Sequence, residues 1–297
     1  MNNELHICFV TDKQWLRFTQ RAIYDIIIRK NKNTKITFYI LVDRVNDCKM
    51  FDIFNTVENI SAITVEVDSK KEFPNARRYP QSWHNTFGYL KLAIPSLDVF
   101  KNVDRVIYLD VDVLARKDLT DIFNLDLHGK GIGCTKNWWN IRQANYLDFS
   151  TRGDMESGIM VMDLPRLRSI HFTEICRINA VYIARDQCII DSCMLKECNY
   201  IDPKYMIPYH LIVDGSPAYK DISRWNNYFN TNYKSIDELI DESYLWHFAG
   251  YKEEDYIHMP SERICFDTSE KRLQEFLKTN KVMPWKKEDD DILYIRD

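Results

Sequence analysis

Val106-Ile107-Tyr108-Leu109-Asp110-Val111-Asp112-Val113-Leu114 is the stretch on which the reading of this chain turns. Four apolar residues run unbroken into two acids spaced one apart, and apolar residues then resume. An unbroken β-branched and aromatic run predicts a strand buried on both faces of a parallel sheet. Ligands of open α/β sheets gather beyond the carboxyl ends of such strands, so Asp110 and Asp112 are expected where a site would form. Two unpaired carboxylates this close repel each other, and one has its pKa raised. A divalent cation removes that conflict, and oxygen ligands suit Mg²⁺ or Mn²⁺ beside substrate phosphates. A bare Asp-x-Asp arises about once by chance in a chain of this length. The second example, Asp289-Asp290-Asp291, has no strand before it and reads as solvated surface.

Composition limits the alternatives. The chain has 297 residues, enough for one large α/β domain or one domain with an appendage. A net charge of −4 supplies no basic field, so nucleic acid is not an expected partner. Seventeen Tyr and seven Trp build cores, and exposed ones also stack on sugar rings. None of the eight Cys forms Cys-x-x-Cys, and Cys188, Cys193 and Cys198 recur every five residues, which does not keep one helix face. Zinc spacing is therefore missing, and free thiols in a reducing compartment are expected. The N-terminus lacks a signal-peptide pattern, and no apolar run approaches membrane-spanning length. A cytoplasmic location is the expectation.

Working outward, His6 to Val10 predicts a first strand ended by Thr11-Asp12. Trp15, Phe18, Ala22, Ile23, Ile26 and Ile27 then follow helical spacing. Thr37 to Val42 and Ile63 to Val67 predict further strands, with an amphipathic helix over 47–57 between them. This alternation implies right-handed crossovers and a parallel sheet, with Asp12 and Asp112 both at carboxyl ends of strands. No Gly-x-Gly-x-x-Gly follows the first strand, so a dinucleotide fingerprint is missing. A helix is predicted over 86–97, a short one after Asp118, and short strands over 131–134 and 157–164. Asp186 is a plausible N-cap for a helix over 187–196. Tyr244 to His247 is a last apolar run, and Asp267 with Glu270 resembles a capping box for a helix reaching about Leu277. Residues 137–149 and 199–235 show no clear periodicity.

These motifs together resemble glycosyltransferase family 8, the retaining GT-A-fold enzymes that include bacterial lipopolysaccharide galactosyl- and glucosyltransferases. The resemblance spans roughly residues 5–252. Its strongest part is Arg105 to Phe123, RVIYLDVDVLARKDLTDIF. Four pieces accompany it in the family's order: CFVTD (8–12), ESGIMVMDL (156–164), DQ (186–187) and HFAGYK (247–252). The implied fold is a Rossmann-like α/β domain over 1–258, with a mixed, mostly parallel central sheet flanked by helices. Residues 259–297 would form a small helical appendage and charged tail.

The resemblance also implies roles. Asp110 and Asp112 would bind Mn²⁺ or Mg²⁺, with His247 as a third protein ligand. Val10, Thr11 and Asp12 would line the uridine pocket, and Val111, Glu156, Ser157 and Gly158 would complete the donor site. Gly250 and Lys252 would meet the diphosphate, and Asp186 and Gln187 would face the transferred sugar. The residue types suit these tasks. Imidazole joins carboxylates on Mn²⁺, Lys is a point charge for phosphate, and buried polar groups discriminate sugar hydroxyls strongly. Taken singly, a His after an apolar run is more often core, an Asp-Gln pair is a helix cap plus a surface residue, and Asp12 could simply end a strand.

The chain departs from the family pattern at four places. Tyr89 stands where bacterial galactosyltransferases carry Arg, and Glu156 where Asn usually opens the small-residue strand. The motif after His247 is short by about one residue and lacks Pro-Trp, and Cys188 stands where a second Asp often follows the Gln. The activity implied is transfer of galactose or glucose from a UDP-sugar to a glycan, glycolipid or glycoprotein hydroxyl. Asp186 is a conceivable carboxylate nucleophile and Glu156 a remoter one, although the family favours a same-face mechanism. Trp138 and Trp139 could stack on the acceptor, a core role being the commoner one. Lys278, Lys281, Trp285, Lys286 and Lys287 form a basic-aromatic cluster that supports weak peripheral membrane association at most. Two rival readings remain at this point. A haloacid-dehalogenase-type phosphatase also places Asp-x-Asp after a buried strand, but Leu114 stands where it wants Thr or Val. A non-catalytic nucleotide-sugar-binding domain would fit Glu156 and the shortened His motif.

Overall fold

The structure is a computed structural model that describes residues 4–43, 48–77, 86–143, 154–248 and 260–282. Its main elements are β1 (Glu4–Thr11), α1 (Leu16–Arg29), β2 (Lys35–Asp43), β3 (Ile60–Val67), β4 (Arg105–Leu109), β5 (Val113–Ala115), β6 (Ile132–Cys134), β7 (Ile159–Asp163), α2 (Phe172–Ala180), α3 (Asp186–Cys193), β8 (Cys198–Tyr200), β9 (Leu245–His247) and α4 (Pro260–Thr279). Seven strands form one sheet in the order β3-β2-β1-β4-β7-β6-β8, and β5 pairs with β9 in a separate two-stranded ribbon.

Strand side chains alternate between faces, and the sheet therefore divides two cores. Leu5, Ile7 and Phe9 of β1, Ile107 and Leu109 of β4, and Ile159 and Val161 of β7 enter one core. Cys8 and Val10, Val106 and Tyr108, and Met160 and Met162 enter the other. Burial on both faces is why these strands read as continuous apolar runs. Helix α4 adds Leu273 and Phe276 to the first core, where Phe276 stacks on Tyr24 and Phe54. A third core gathers Trp138, Trp225 and Trp246 around the β5–β9 ribbon.

Three relationships in this topology create the site. From β1 the chain winds outward through β2 and β3, then returns so that β4 pairs parallel to the other side of β1. That reversal is a topological switch point, where a crevice opens beyond the strands' carboxyl ends. β7 runs antiparallel to β4, pairing Ile159 with Leu109, which brings the residues just before β7 beside those just after β4. Antiparallel pairing of β5 with β9 sets His247 opposite Val113.

Several local expectations are corrected. Residues Lys49–Thr56 form a 3₁₀ helix rather than an α-helix. The helix expected over 86–97 is broken into 3₁₀ and α turns, with Gly88 and Pro95 inside it. β7 starts at Ile159, not Ser157, and Leu164 opens a helix capped by Asp163, whose carboxylate accepts the Arg166 N–H. Asp186 is not an N-cap but the first helical residue, and α3 stops at Cys193. Asp267 and Glu270 lie within α4, whose start is at Pro260, and Glu270 instead accepts a hydrogen bond from Arg17 Nε at 2.9 Å. Asp118 does accept the Thr120 N–H at 2.8 Å ahead of the helix Thr120–Phe123. The stretch 199–235 holds the helices Tyr209–Val213, Pro217–Lys220 and Ile222–Phe229, too short to show a period. Trp138 is fully buried core and Trp139 packs partly buried beside it.

Candidate functional site

The chain leaves β4 at Asp110, and the Asp110 N–H donates to the Gly158 carbonyl at 2.9 Å. Asp112 follows, and its carbonyl accepts the Phe248 N–H at 3.0 Å just after β9. The crevice thus draws β4, the approach to β7 and the end of β9 together. Asp110, Asp112 and His247 each offer one ligand atom, and these atoms all lie within 4.8 Å of one another. His247 Nε2 is 3.3 Å from Asp112 Oδ1 and 3.7 Å from Asp110 Oδ2. His247 is 1 % exposed; its Nε2 faces the two carboxylates, and its Nδ1 has no hydrogen-bond partner among the described residues. A buried imidazole nitrogen and two carboxylates that converge on one point are arranged as a cation would need them. Two carboxylates and one imidazole form a donor set suited to a divalent ion.

The His247 ring is held from several sides. His210 Nδ1 lies 3.2 Å from the His247 carbonyl, and Trp138 meets the ring edge-on at 6.1 Å. The room for the ring comes from Gly158, where a Cβ would lie 2.4 Å from His247 Cε1. Burial works to lower the imidazole pKa, but the charges of Asp112, Glu156 and Asp110 overcome it and raise the value.

A second cluster adjoins the first. Lys91 is 4 % exposed and sends Nζ to Asp186 Oδ2 at 2.6 Å and to Asp110 Oδ1 at 3.2 Å. Burial opposes its charge, but Asp110, Asp186 and Tyr108 keep the ammonium well above its ordinary pKa. Tyr108 donates its hydroxyl to the same Asp110 oxygen at 2.5 Å. Asp110 therefore turns Oδ1 toward Lys91 and Tyr108 and leaves Oδ2 facing His247. Burial tends to raise the Asp186 carboxyl, but Lys91 and a 3.2 Å hydrogen bond from the Ser157 hydroxyl hold it below the usual carboxylate range. Ser157 Oγ also lies 3.5 Å from Gln187 Oε1. Glu156 is 6 % exposed, and its Oε1 accepts the Gly158 N–H at 3.1 Å. Burial pushes its carboxyl up to about 7, repulsion from Asp110 adding to that and His247 opposing it.

Of the residues singled out from sequence, Asp110, Asp112, His247, Glu156, Ser157, Gly158, Asp186 and Gln187 meet in this crevice. Val10 and Thr11 are buried at the end of β1, and Asp12 follows at the same edge, where its carboxylate accepts the Gln14 N–H at 2.9 Å. Val111 is buried between the two acids. Gly250 and Lys252 lie outside the described residues, as do Trp285, Lys286 and Lys287. Three contributors escaped the sequence reading. Lys91 carried a signal, a lone cation between Leu90 and Leu92 in an otherwise apolar run. Tyr108 is a core residue of a buried strand, and nothing in its residue type announces that its hydroxyl reaches Asp110. Arg21, 2 % exposed on α1, sends Nη2 to the carbonyls of Val111 and Val113, each at 3.3 Å, and so grips the acidic turn from both sides of Asp112.

The sequence from residue 6 to residue 253 matches the family description "Glycosyl transferase family 8". The chain belongs to glycosyl transferase family 8. Lipopolysaccharide 1,2-glucosyltransferase of Escherichia coli K12 is 22 % identical over 259 residues, covering 83 % of this chain and 71 % of that protein. Hexosyltransferase GAUT11 of Arabidopsis thaliana is 23 % identical over 182 residues, half of this chain but 33 % of the plant protein, so the chain spans about a third of that relative. Among solved structures, the galactosyltransferase LgtC in complex with donor and acceptor sugar analogues superposes with a TM-score of 0.67 at 17 % identity, covering 97 % of this chain and all of that one. Streptococcus pneumoniae GlyE gives a TM-score of 0.61 at 14 % identity. The GT-A fold is thereby shown, with the mixed and mostly parallel sheet that the resemblance implied. The phosphatase reading is not favoured, because the family match runs from residue 6 to residue 253 and these solved structures of like fold are glycosyltransferases. No helix among the described residues is long and apolar enough to cross a membrane.

Proposed function

We propose that the protein transfers a hexose, galactose or glucose, from a UDP-sugar to a hydroxyl of a glycan, glycolipid or glycoprotein, with retention at the anomeric carbon. The observation that carries this is the convergence of Asp110, Asp112 and His247 at the switch point of a family 8 fold. Mn²⁺ or Mg²⁺ would be held by those three side chains, and when bound it would stabilise the negative charge of the departing nucleoside diphosphate.

The chain's own residues supply the remainder. Val10, Thr11 and Asp12 end the strand beside β4 and are assigned to the uridine. Gly250 and Lys252 are assigned to the diphosphate. Asp186 and Gln187 begin α3 next to Ser157 and are assigned to the donor sugar's hydroxyls. Retention by two displacements needs a carboxylate free to attack. Asp186 is instead engaged by Lys91 and Ser157 and has its basicity lowered. That supports the same-face route, in which the leaving phosphate takes up the acceptor's proton while Lys91 keeps Asp186 ionised and oriented. Glu156, with its carboxyl pushed up to about 7, is likewise a weak nucleophile at neutral pH while protonated.

The test is UDP-sugar turnover across a panel of donors, with and without Mn²⁺, for the protein and its Asp112→Asn variant. Manganese-dependent release of UDP from one hexose donor, lost in the variant, is expected. Binding of UDP with neither transfer nor hydrolysis of any donor would instead favour a non-catalytic binding domain. Weak peripheral association with an anionic membrane is part of the proposal, drawn from the C-terminal basic-aromatic cluster; flotation with anionic vesicles tests it, and no binding at low salt removes it.

A further inference from the structure

We infer that Tyr89 is a positioning residue that holds the backbone ahead of Asp186 in the strained form required to aim Asp186 and Gln187 into the crevice. Arg185 has φ 78° and ψ 130°, a conformation that costs any residue with a Cβ. It is the residue immediately before the two site candidates. A strained backbone persists only where its surroundings over-determine it, and one contact that fixes the peptide here is the Tyr89 hydroxyl. That hydroxyl accepts the Arg185 N–H at 3.0 Å and donates to the Arg77 carbonyl at 3.1 Å. Arg77 is anchored in turn, its N–H donating to the Ala180 carbonyl and Nη1 to the Tyr182 carbonyl at 3.0 Å. The Tyr89 ring is 5 % exposed and packs against Phe73 with centroids 5.6 Å apart. One buried phenol thus ties the end of α2 and the residues before Tyr89 to the peptide that launches α3.

The consequence is geometric. The Arg185 carbonyl accepts the Ile189 N–H and so belongs to the first turn of α3, while its N–H is fixed by Tyr89. Rotation of φ back to negative values would break the second bond and swing the start of the helix. Asp186 Oδ2 would then leave Lys91 Nζ, and Gln187 would leave Ser157. The Tyr89 hydroxyl bonds backbone groups and neither of these side chains, although it lies within electrostatic reach of Asp186, so the positioning argued here passes through the backbone. This inference rests on the reading of Asp186 and Gln187 as the residues facing the donor sugar.

The experiment compares the protein with Tyr89→Phe, Arg185→Gly, the double variant and Asp186→Asn. It measures kcat and KM for UDP-hexose turnover, with UDP affinity in Mn²⁺ by calorimetry. Loss of one hydrogen bond to a strained peptide predicts about a tenfold fall in kcat for Tyr89→Phe, with KM and UDP affinity little changed. Glycine adopts positive φ without a Cβ penalty, so the fall on removing the hydroxyl should shrink to about twofold when residue 185 is Gly. A Tyr89→Phe kcat within twofold of the parent overturns the inference, as does an equal fall in both backgrounds. Asp186→Asn separates the two levels. Full activity in that variant would sink the reading of the site itself, whereas a large loss there beside an unaffected Tyr89→Phe would sink the positioning role alone.

Discussion

Gly158 makes the space that His247 fills. A Cβ at residue 158 would stand 2.4 Å from the ring's Cε1 and 2.9 Å from Nδ1, and the ring is enclosed by Trp138 and the ribbon that carries it. Gly158→Ala therefore pushes the imidazole off the two acids or strains the turn before β7. The expected outcome is a loss of Mn²⁺ affinity of at least about tenfold, read by titration against a fluorescent competitor. Unchanged affinity with an unchanged melting temperature would remove His247 from the ligand set.

Arg21 acts on the same centre from the opposite side. Its guanidinium bridges the carbonyls flanking Asp112, so Arg21→Met frees the turn without opening a large cavity. Mn²⁺ affinity is expected to fall about 10- to 100-fold, as for outer groups that orient ligands. Isothermal titration checks this, and affinity within twofold of the parent would reduce Arg21 to a packing role.

Lys91→Met leaves Asp110 and Asp186 facing one another with no cation between them. Removing one partner of a buried pair costs about 3–5 kcal/mol, and the partial exposure of Asp186, 24 % at the side chain, favours the lower end. Urea unfolding should show a lower midpoint with an unchanged slope. Turnover should fall further than stability accounts for, because the orientation of Asp186 is lost as well.

Asp25 gives the fold a pH signature separate from the site. Its carboxylate is buried, accepts the Ser269 hydroxyl, and is pushed up to about 6 by burial, with Arg21 opposing. In the unfolded chain it titrates near the ordinary value of about 4. A raised acid pKa means that the native state binds the proton more tightly. This contribution is therefore complete below about pH 4 and is lost as pH rises through about 6. The loss is up to about 3 kcal/mol. Asp25→Asn should flatten the stability-versus-pH curve between pH 4 and 7, and an unaltered slope would contradict the burial of a protonating carboxyl.

The sheet and half of the site were legible in the sequence because they are written in local patterns. Strands buried on both faces must be continuously apolar, and an acid that ends such a run is conspicuous, as at Asp110. His247 was found only through a family resemblance, since a His after an apolar run looks like core. Lys91 and Arg21 were missed because their roles exist only after distant segments pack, and a buried cation in a helix has no one-dimensional signature beyond its apolar neighbours. Asp before a helix usually caps it, so the residue pattern alone points to a cap at Asp186, and only the resemblance places it at the sugar. Here the carboxylate turns to Lys91 across the crevice, and the conformation of Arg185, ordinarily reserved for glycine, was invisible in the residue type.

The β5–β9 ribbon has one more effect. His247 lies more than a hundred residues downstream of the acids it joins, and its strand is three residues long, held by a neighbour equally short. Asp110 can gain its Gly158 contact once the chain through β7 has emerged during synthesis, but the imidazole arrives only when the residues up to 247 have been made. Long-range closures of this kind are slow and come late. A ribosome-stalled fragment ending before residue 245 should therefore display a native-like sheet and no manganese affinity, so that competence is conferred by the last strand to be threaded into place.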